Sequence, residues 1–444
     1  MSRGLPVVAI VGRPNVGKSA FFNRVLGRRH AIVEDVEGVT RDRNFARADW
    51  AGRTFFLVDT GGLELDSEEQ MAAAVRRQVM AAIDEADVIA FLVDGRIGPH
   101  PVDQRVAEIL RRTDRPVVLA VNKMDKLPDE VAHHEFWELG LGEPIPVSSI
   151  VGKGSGDLLD AIVARLPAAP AEEDSADTLY IAVIGRPNVG KSSFVNRLLG
   201  EERMVVSEAA GTTRDTIDTP FRYHGRNLVF VDTAGLRRQA KIDPGLEYYA
   251  SLRTERAIER ADVCMLLIEA SQELHIQDMR IAEMAWKNGC GLILVANKWD
   301  VVEKDERTAI EYERTLRARA PSLKSVPIVF TSATSGQRVR RALDVALEVA
   351  AARATRIPTN EVNEVLRELA SRLPPPHHRG MPVKLMYAAQ VSTKPPTFVV
   401  FVNHPKGLKE PYLRYIRNGF RERWGFAGSP LRVRIRARRG SQTE

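Results

Sequence analysis

Residues 12–19 read GRPNVGKS, and residues 185–192 repeat the same eight letters. In both places an apolar run precedes and a helical pattern follows, Ala20–Leu26 in one copy and Ser193–Leu199 in the other. That is the setting in which this spacing builds a phosphate-binding loop. Gly12 and Gly17, with Gly185 and Gly190 in the second copy, let the backbone close around phosphate groups. Between them Arg13, Pro14, Asn15 and Val16, and likewise Arg186, Pro187, Asn188 and Val189, carry main chain toward an anion that also meets the positive end of the next helix. Lys18 and Lys191 supply a compact positive charge for the β- and γ-phosphates. Ser19 and Ser192 supply a hydroxyl oxygen for Mg²⁺, a hard cation that prefers oxygen ligands and phosphates. A complete match after a strand, occurring twice with downstream partners, leaves little room for a purely structural explanation.

The base is addressed by a second pair of motifs, NKMD at 122–125 and NKWD at 297–300. Asp125 and Asp300 are acceptor-only carboxylates, suited to the N1–H and N2–H₂ donors of guanine, which adenine lacks at those positions. A site built around such bonds discriminates by ~10⁴. Asn122 and Asn297 are expected to orient the loop and contact the base edge, with the stems of Lys123 and Lys298 over the ring and Met124 and Trp299 completing the tetrapeptides. Ser148–Ser149 and Ser332–Ala333 fit a backbone contact to guanine O6. GTP and GDP are therefore the expected ligands.

Thr40 and Thr213 lie between the loop and the next strand, where a hydroxyl completes a Mg²⁺ shell only while a γ-phosphate is present. In DTGG (Asp59, Thr60, Gly61, Gly62) and DTAG (Asp232, Thr233, Ala234, Gly235), the aspartates can hold a Mg²⁺-bound water and the last glycines can offer an N–H to the γ-phosphate. Mg²⁺ thus falls to Ser19, Thr40 and Asp59 in one copy and to Ser192, Thr213 and Asp232 in the other. Lys18, Thr40, Lys191 and Thr213 are the residues expected to act on the hydrolysed bond. Contacts that vanish with the γ-phosphate predict switching segments at 34–44, 62–75, 207–217 and 235–250. After DTGG and DTAG come Leu63 and Leu236, whose apolar side chains cannot orient an attacking water. Unaided hydrolysis should be slow.

What positions these residues is a tandem repeat. VTRDR pairs with TTRDT and VDTGGL with VDTAGL at the same offset of 173 as the loops; the NKxD motifs are 175 apart. Within each copy short runs such as VVAIVG, DVIAFLVD, LYIAVIG and GLILVANK are continuously apolar, as in strands covered on both faces. Each copy is expected to be a doubly wound α/β domain with a mostly parallel sheet, its motifs at the carboxyl ends of the strands. The divisions read 1–166 and 179–355 for the two copies, 167–178 (PAAPAEEDSADT) for an acidic linker, and 356–444 for a small α+β domain.

The chain has 444 residues, 64 Lys+Arg and 58 Asp+Glu. Residues 358–444 hold 16 of the basic and 6 of the acidic ones, a surplus of +10, while the remaining 48 and 52 give −4. A basic excess confined to one segment favours RNA as partner. Arg432, Arg434 and Arg436 alternate along one strand, and Arg414, Arg417 and Arg421 share one side of a helix, near Lys406 and Lys409. Tyr412, Tyr415, Phe420 and Trp424 are read as core. No apolar run approaches the length of a bilayer span, and the start of the chain runs into the first strand without a signal segment, so no membrane partner and a cytoplasmic location are expected. Cys264 and Cys290 adjoin core strands and are expected as buried thiols.

The ordered set of motifs is similar to that of translation-factor-type GTPases. Two copies followed by a basic segment containing PPTFVVFVNHP and YLRYIRNGFRERWGF resemble the bacterial tandem-domain GTPases of the Der, or EngA, family over nearly the whole chain. The resemblance implies a KH-like last domain, although the Gly-x-x-Gly clamp of an ordinary KH domain is missing. It also implies a role in assembly of the large ribosomal subunit, with ribosomal RNA as partner, and a K⁺ ion held through Asn15 and Asn188. By spacing alone those asparagines serve equally as loop caps. A monomer is expected. A scaffold in which only one copy hydrolyses is disfavoured because both copies keep every phosphate, magnesium and guanine residue. A GTPase of tRNA modification or membrane traffic is disfavoured by the lack of a lipid-anchor or active-site cysteine pattern.

Overall fold

Continuous apolar strands with no polar side are stable only between two layers of helices, and that is what the chain builds twice. The computed structural model describes residues 5–27, 44–60, 68–125, 134–168, 178–200, 205–206, 218–233, 247–303, 305 and 307–437. Two compact units are formed, one from residues 1–173 and 240–256, the other from 174–239 and 257–444. Thr40, Gly61, Gly62, Leu63, Thr213, Ala234, Gly235 and Leu236 lie outside the described residues, as do most of the four expected switching segments and residues 169–177 of the linker.

In the first unit the elements run β1 (Val7–Val11), α1 (Lys18–Leu26), β2 (Phe45–Trp50), β3 (Arg53–Asp59), α2 (Glu68–Glu85), β4 (Val88–Asp94), α3 (Pro101–Leu110), β5 (Val117–Asn122), β6 (Ile145–Pro146) and α4 (Ser155–Arg165). The sheet order is β2-β3-β1-β4-β5-β6. Val8 of the central β1 stands beside Leu57 on one side and Val88 on the other, in parallel register. Only β2 is antiparallel, to β3. Phe21, Phe55, Leu158 and Ile162 fill the layer under α1 and α4, and Val79, Phe91 and Val106 the layer under α2 and α3. Tyr248, Tyr249 and Leu252 join that second layer, and Arg253 pairs with Glu85 beside them.

The second unit repeats the pattern with β7 (Thr178–Ile184), α5 (Lys191–Leu199), β8 (Val205–Val206), β9 (Thr219–Tyr223), β10 (Arg226–Val231), α6 (Glu247–Arg260), β11 (Val263–Glu269), α7 (Ile276–Lys287), β12 (Gly291–Asn297), α8 (Thr308–Arg319), β13 (Ile328–Phe330) and α9 (Val339–Ala354). Of α6, residues from Ala257 onward belong to this unit. Its sheet is ordered β13-β12-β11-β7-β10-β9-β8, antiparallel only at β8 and β9. The strands β2 and β9, FARADW and TPFRY, escape a search for continuous apolar runs because they lie in the antiparallel margin of each sheet, and both show every third or second residue buried.

The chain ends with α10 (Thr359–Arg372), a minimal hairpin β14 (His377–His378) and β15 (Met381–Pro382), then β16 (Leu385–Thr393), β17 (Pro396–Val402), α11 (Glu410–Trp424) and β18 (Arg432–Ala437). Strand β17 is central, antiparallel to β16 and parallel to β18. Both helices cover one face of this sheet, over Phe398, Val400 and Val402. Main-chain bonds fasten it to the second nucleotide domain: Leu292 N–H donates to Gly428 O at 2.7 Å and Gly428 N–H to Ser325 O at 2.8 Å. Cys264 and Cys290 are free thiols, both buried.

Candidate functional site

Each phosphate loop is held open by contacts that only glycine tolerates. Gly17 has φ +100°, and a Cβ there would stand 2.2 Å from the Asn122 Nδ2; Gly190, at φ +92°, would meet Asn297 Nδ2 at 2.5 Å. The asparagines press so close because they tie three loops together. Asn122 Nδ2 donates to Val16 O at 2.7 Å, while its Oδ1 accepts from the Ser149 N–H at 2.9 Å and the Ser149 hydroxyl at 3.0 Å. Asn297 does the same with Val189 O (2.9 Å), the Ala333 N–H (3.0 Å) and the Thr331 hydroxyl (3.3 Å). Both side chains are 1 % exposed. Loop orientation is thus their part in this geometry, and each Nδ2 keeps a second N–H beyond its bond to the loop carbonyl. The N–H groups of Ser148, Ser149, Ser332 and Ala333 are likewise bonded inside the loops, Ser148 to Lys153 O and Ser332 to Gln337 O.

The loop lysines are buried cations. Lys18 Nζ donates to Gly12 O at 2.8 Å and Arg13 O at 2.9 Å; Lys191 Nζ donates to Gly185 O at 2.9 Å and Arg186 O at 2.7 Å. Burial pulls each ammonium down to about 8 from the ordinary 10.5, and the carboxylates nearby, Asp59 and Asp103 for Lys18 and Asp278 for Lys191, only partly offset it. A desolvated cation at the start of a helix, inside a loop of main-chain N–H groups, fits a polyphosphate. Ser19 and Asp59, with Ser192 and Asp232, present the oxygen donors a Mg²⁺ ion on those phosphates would take.

An expected outcome follows for pH. Phosphate oxygens favour the charged lysine, so above pH 8 the empty loop must take up a proton to bind nucleotide. Affinity in each pocket should hold steady below that pH and weaken by up to about tenfold per pH unit above it. Calorimetry in buffers of different ionisation enthalpy would register the proton; a flat affinity with no proton uptake would contradict it.

The sequence places Arg13 and Arg186 in the loops, but their side chains turn away from them. Arg13 Nε reaches Asp103 at 3.2 Å and Arg186 Nε reaches Asp278 at 2.9 Å, bracing each loop against the first turn of α3 or α7. The same helices are capped by histidine, His100 accepting from Val102 N–H and His275 from Gln277 N–H. Behind the NKxD motifs Lys123 pairs with Asp94 at 2.6 Å and Lys298 with Glu269 at 2.9 Å, each lysine in left-handed backbone. All these partners recur at the 175 offset, the signal that would have found them. Met124 and Trp299 are core, Trp299 4.3 Å from the Phe330 ring.

Asn15 and Asn188 hold left-handed backbone at the exposed crest of the loops, with φ 65° and 66°. Thr60 is buried, its hydroxyl donating to Ile10 O at 2.7 Å; Thr233 shares a 2.7 Å bond with Thr219. The pockets are not identical. Asp125 receives the Ser148 hydroxyl on one oxygen and Arg96 at 2.9 Å on the other, whereas Ser271 stands where Arg96 would be in the second copy. Asp59 closes β3 as a strand residue, while Asp232 has φ 56° and its N–H donates to Asp218, which pairs with Arg260.

In the last domain the arginines divide. Arg417 pairs with Glu410, and Arg432 donates to Lys287 O at 2.6 Å. Arg421 donates to Phe426 O and Ser429 O and lies 5.5 Å from the Trp286 ring, with burial pulling it down to about 10. These three make contacts within the protein, with Arg421 the most deeply covered. Arg414, Arg434 and Arg436 are exposed. Tyr412 and Phe420 are buried and Tyr415 and Trp424 pack against the same core, as read from the sequence. Among the described residues no helix is long and apolar enough to cross a membrane.

Comparison with known proteins places the chain. The family model described as 50S ribosome-binding GTPase matches residues 7–123 and again 180–298, and the model described as the C-terminal KH-domain-like part of EngA bacterial GTPase enzymes matches 356–436. GTPase Der of Gemmatimonas aurantiaca is 56 % identical over 433 residues, 97 % of this chain and 99 % of that one. GTPase Der of Caldanaerobacter subterraneus subsp. tengcongensis is 49 % identical over 439 residues, 99 % of both chains. With two phosphate loops, two NKxD motifs and a KH-like end in the same order, the chain belongs to the Der, or EngA, family of enzymes that bind guanosine nucleotides and hydrolyse GTP.

Proposed function

We propose that the chain is a cytoplasmic, monomeric two-switch GTPase whose nucleotide states set its affinity for a precursor of the large ribosomal subunit, through contact with ribosomal RNA. The observation that carries this reading is the +10 surplus of residues 358–444, on a domain bonded through its main chain to the second nucleotide domain. A one-signed surplus of that kind suits an RNA backbone, and the main-chain attachment gives the nucleotide state a route to what the last domain holds. The functional divisions are 1–166, 179–355 and 356–444, joined by 167–178.

In each pocket the loop main chain at 12–17 or 185–190 binds phosphates, Lys18 or Lys191 neutralises the charge that develops on the leaving phosphates, and Asp125 or Asp300 selects guanine. Mg²⁺ would be held by Ser19, Thr40 and Asp59, or by Ser192, Thr213 and Asp232, and would supply Lewis-acid charge to the β- and γ-phosphates. Asn15 and Asn188, left-handed at the loop crest, would hold a K⁺ ion; loss of K⁺ stimulation in Asn15→Ala and Asn188→Ala would support that, and equal rates in Na⁺ and K⁺ would remove it. With Leu63 and Leu236 after the DxxG motifs, turnover is slow until a bound particle or ion assists.

Sedimentation with ribosomal subunits in GTP, in GDP and without nucleotide tests the reading. Association with the large subunit in one state and release in another is expected. Failure to sediment in any state, or the same fraction bound in all three, would overturn it.

A further inference from the structure

The face of the last sheet turned away from α10 and α11 carries an arrangement that the helix-side core does not explain. Across the three strands the register aligns Tyr387 of β16 with Phe401 of β17 and Arg436 of β18, and one step along, Ala389 with Val399 and Arg434. Ala388, Val400 and Val402, one position away, point the opposite way into the core and are fully buried. Tyr387 is 42 % exposed, and its ring lies 4.4 Å from the Phe401 ring at an interplanar angle of 6°, a parallel stack. Arg434 and Arg436 are exposed, and among the described residues neither has an ion-pair partner. The three strands contain no Asp or Glu. Met386, at the bulge before Tyr387, and Val391 extend the exposed apolar strip at 42 % and 56 %.

An aromatic pair stacked face to face on the outer side of a sheet, bordered by unpaired guanidinium groups and free of negative charge, is matched chemically to a polyanion with π-faces. Bases stack on the rings and the intervening phosphates meet the arginines. A double helix offers only backbone to such a flat face, because its bases are already stacked. We infer that this open sheet face binds a short stretch of single-stranded RNA, with a base extending the Tyr387–Phe401 stack and phosphates at Arg434 and Arg436. The inference rests on the RNA-directed reading of this domain and gives it a place, in a domain that lacks the Gly-x-x-Gly clamp.

The test uses the full chain and fluorescein-labelled oligo(U) and oligo(A) dodecamers, followed by anisotropy, with an unlabelled RNA duplex as competitor. Both single strands should bind, and the duplex should compete poorly. Tyr387→Ala should weaken binding by about tenfold, while Tyr387→Phe, which keeps the ring, should bind as the parent does. Arg434→Gln with Arg436→Gln should weaken binding and flatten its salt dependence. Steady-state GTP turnover reports on folding and should be unchanged in all of them.

If Tyr387→Ala binds as the parent while the arginine pair abolishes binding, the face is an electrostatic strip without stacking and the inference fails. It fails too if the duplex competes as well as single strands, or if no oligonucleotide binds because the face docks a protein. Sedimentation with ribosomal subunits is read separately. Retained sedimentation without oligonucleotide binding would sink this inference and leave the ribosomal reading standing; loss of both would sink both.

Discussion

Asp125→Asn and Asp300→Asn should each cost one pocket about 10⁴ in guanosine discrimination and turn that pocket toward xanthosine nucleotides. The reason is the direction of the hydrogen bonds. Guanine offers two donors, N1–H and N2–H₂, and a carboxylate accepts both; an amide at the same place sets its own NH₂ against one of them. Xanthine carries a carbonyl where guanine carries N2, so the amide donor regains a partner there. Calorimetry on nucleotide-stripped protein should count two guanosine ligands in the parent and one in each variant, with one xanthosine ligand appearing. Two guanosine ligands in either variant would contradict the assignment of these aspartates.

In the first pocket Asp125 already accepts from the Ser148 hydroxyl and from Arg96, one bond on each oxygen, and the donors of guanine would have to displace or share them. In the second copy Ser271 occupies the position that corresponds to Arg96.

Lys18→Met and Lys191→Met should have effects of opposite sign on activity and on stability. Without the ammonium, turnover in the affected pocket should fall by about 10²–10³, the usual scale for removing one preorganised charge from a reacting group. The empty protein should not suffer in proportion. A lysine whose folded value is about 8 rather than 10.5 destabilises the empty fold at neutral pH by about 3 kcal/mol, at about 1.4 kcal/mol per pH unit. The penalty is complete below pH 8, shrinks between pH 8 and 10.5 and is gone above that. Against this relief stand the lost bonds to Gly12 O and Arg13 O, about 1–2 kcal/mol. The thermal midpoint of the nucleotide-free Met variant should equal or exceed the parent's at neutral pH, and nucleotide should no longer raise it in that unit. A midpoint that falls in step with activity would mean that the lysine is structural.

Much of this was legible without coordinates because phosphate and guanine each demand particular chemistry from the main chain and a few side chains. Glycine at 12, 17, 185 and 190, lysine at 18 and 191, and aspartate at 125 and 300 are the residue types that such ligands would require, each after an apolar run of the kind a doubly wound sheet uses. The tandem repeat, the two GTPase domains and the buried aromatics of α11 were all determined at that level.

Only the tertiary structure decided what the remaining polar groups touch. Periodicity tells which side of a helix Arg421 occupies, but not that Trp286, Phe426 and Ser429 cover that side, so a basic surface was read where a packed contact stands. The asparagines of the NKxD motifs reach Val16 and Val189, more than a hundred residues away, and spacing along the chain does not show it. Tyr387, Phe401 and Arg436 share one row because strand register brings together residues that sequence spacing holds 14 and 35 positions apart. Local pattern records which face a residue takes; what lies across from that face is set by pairing at long range, and the chain alone does not spell it out.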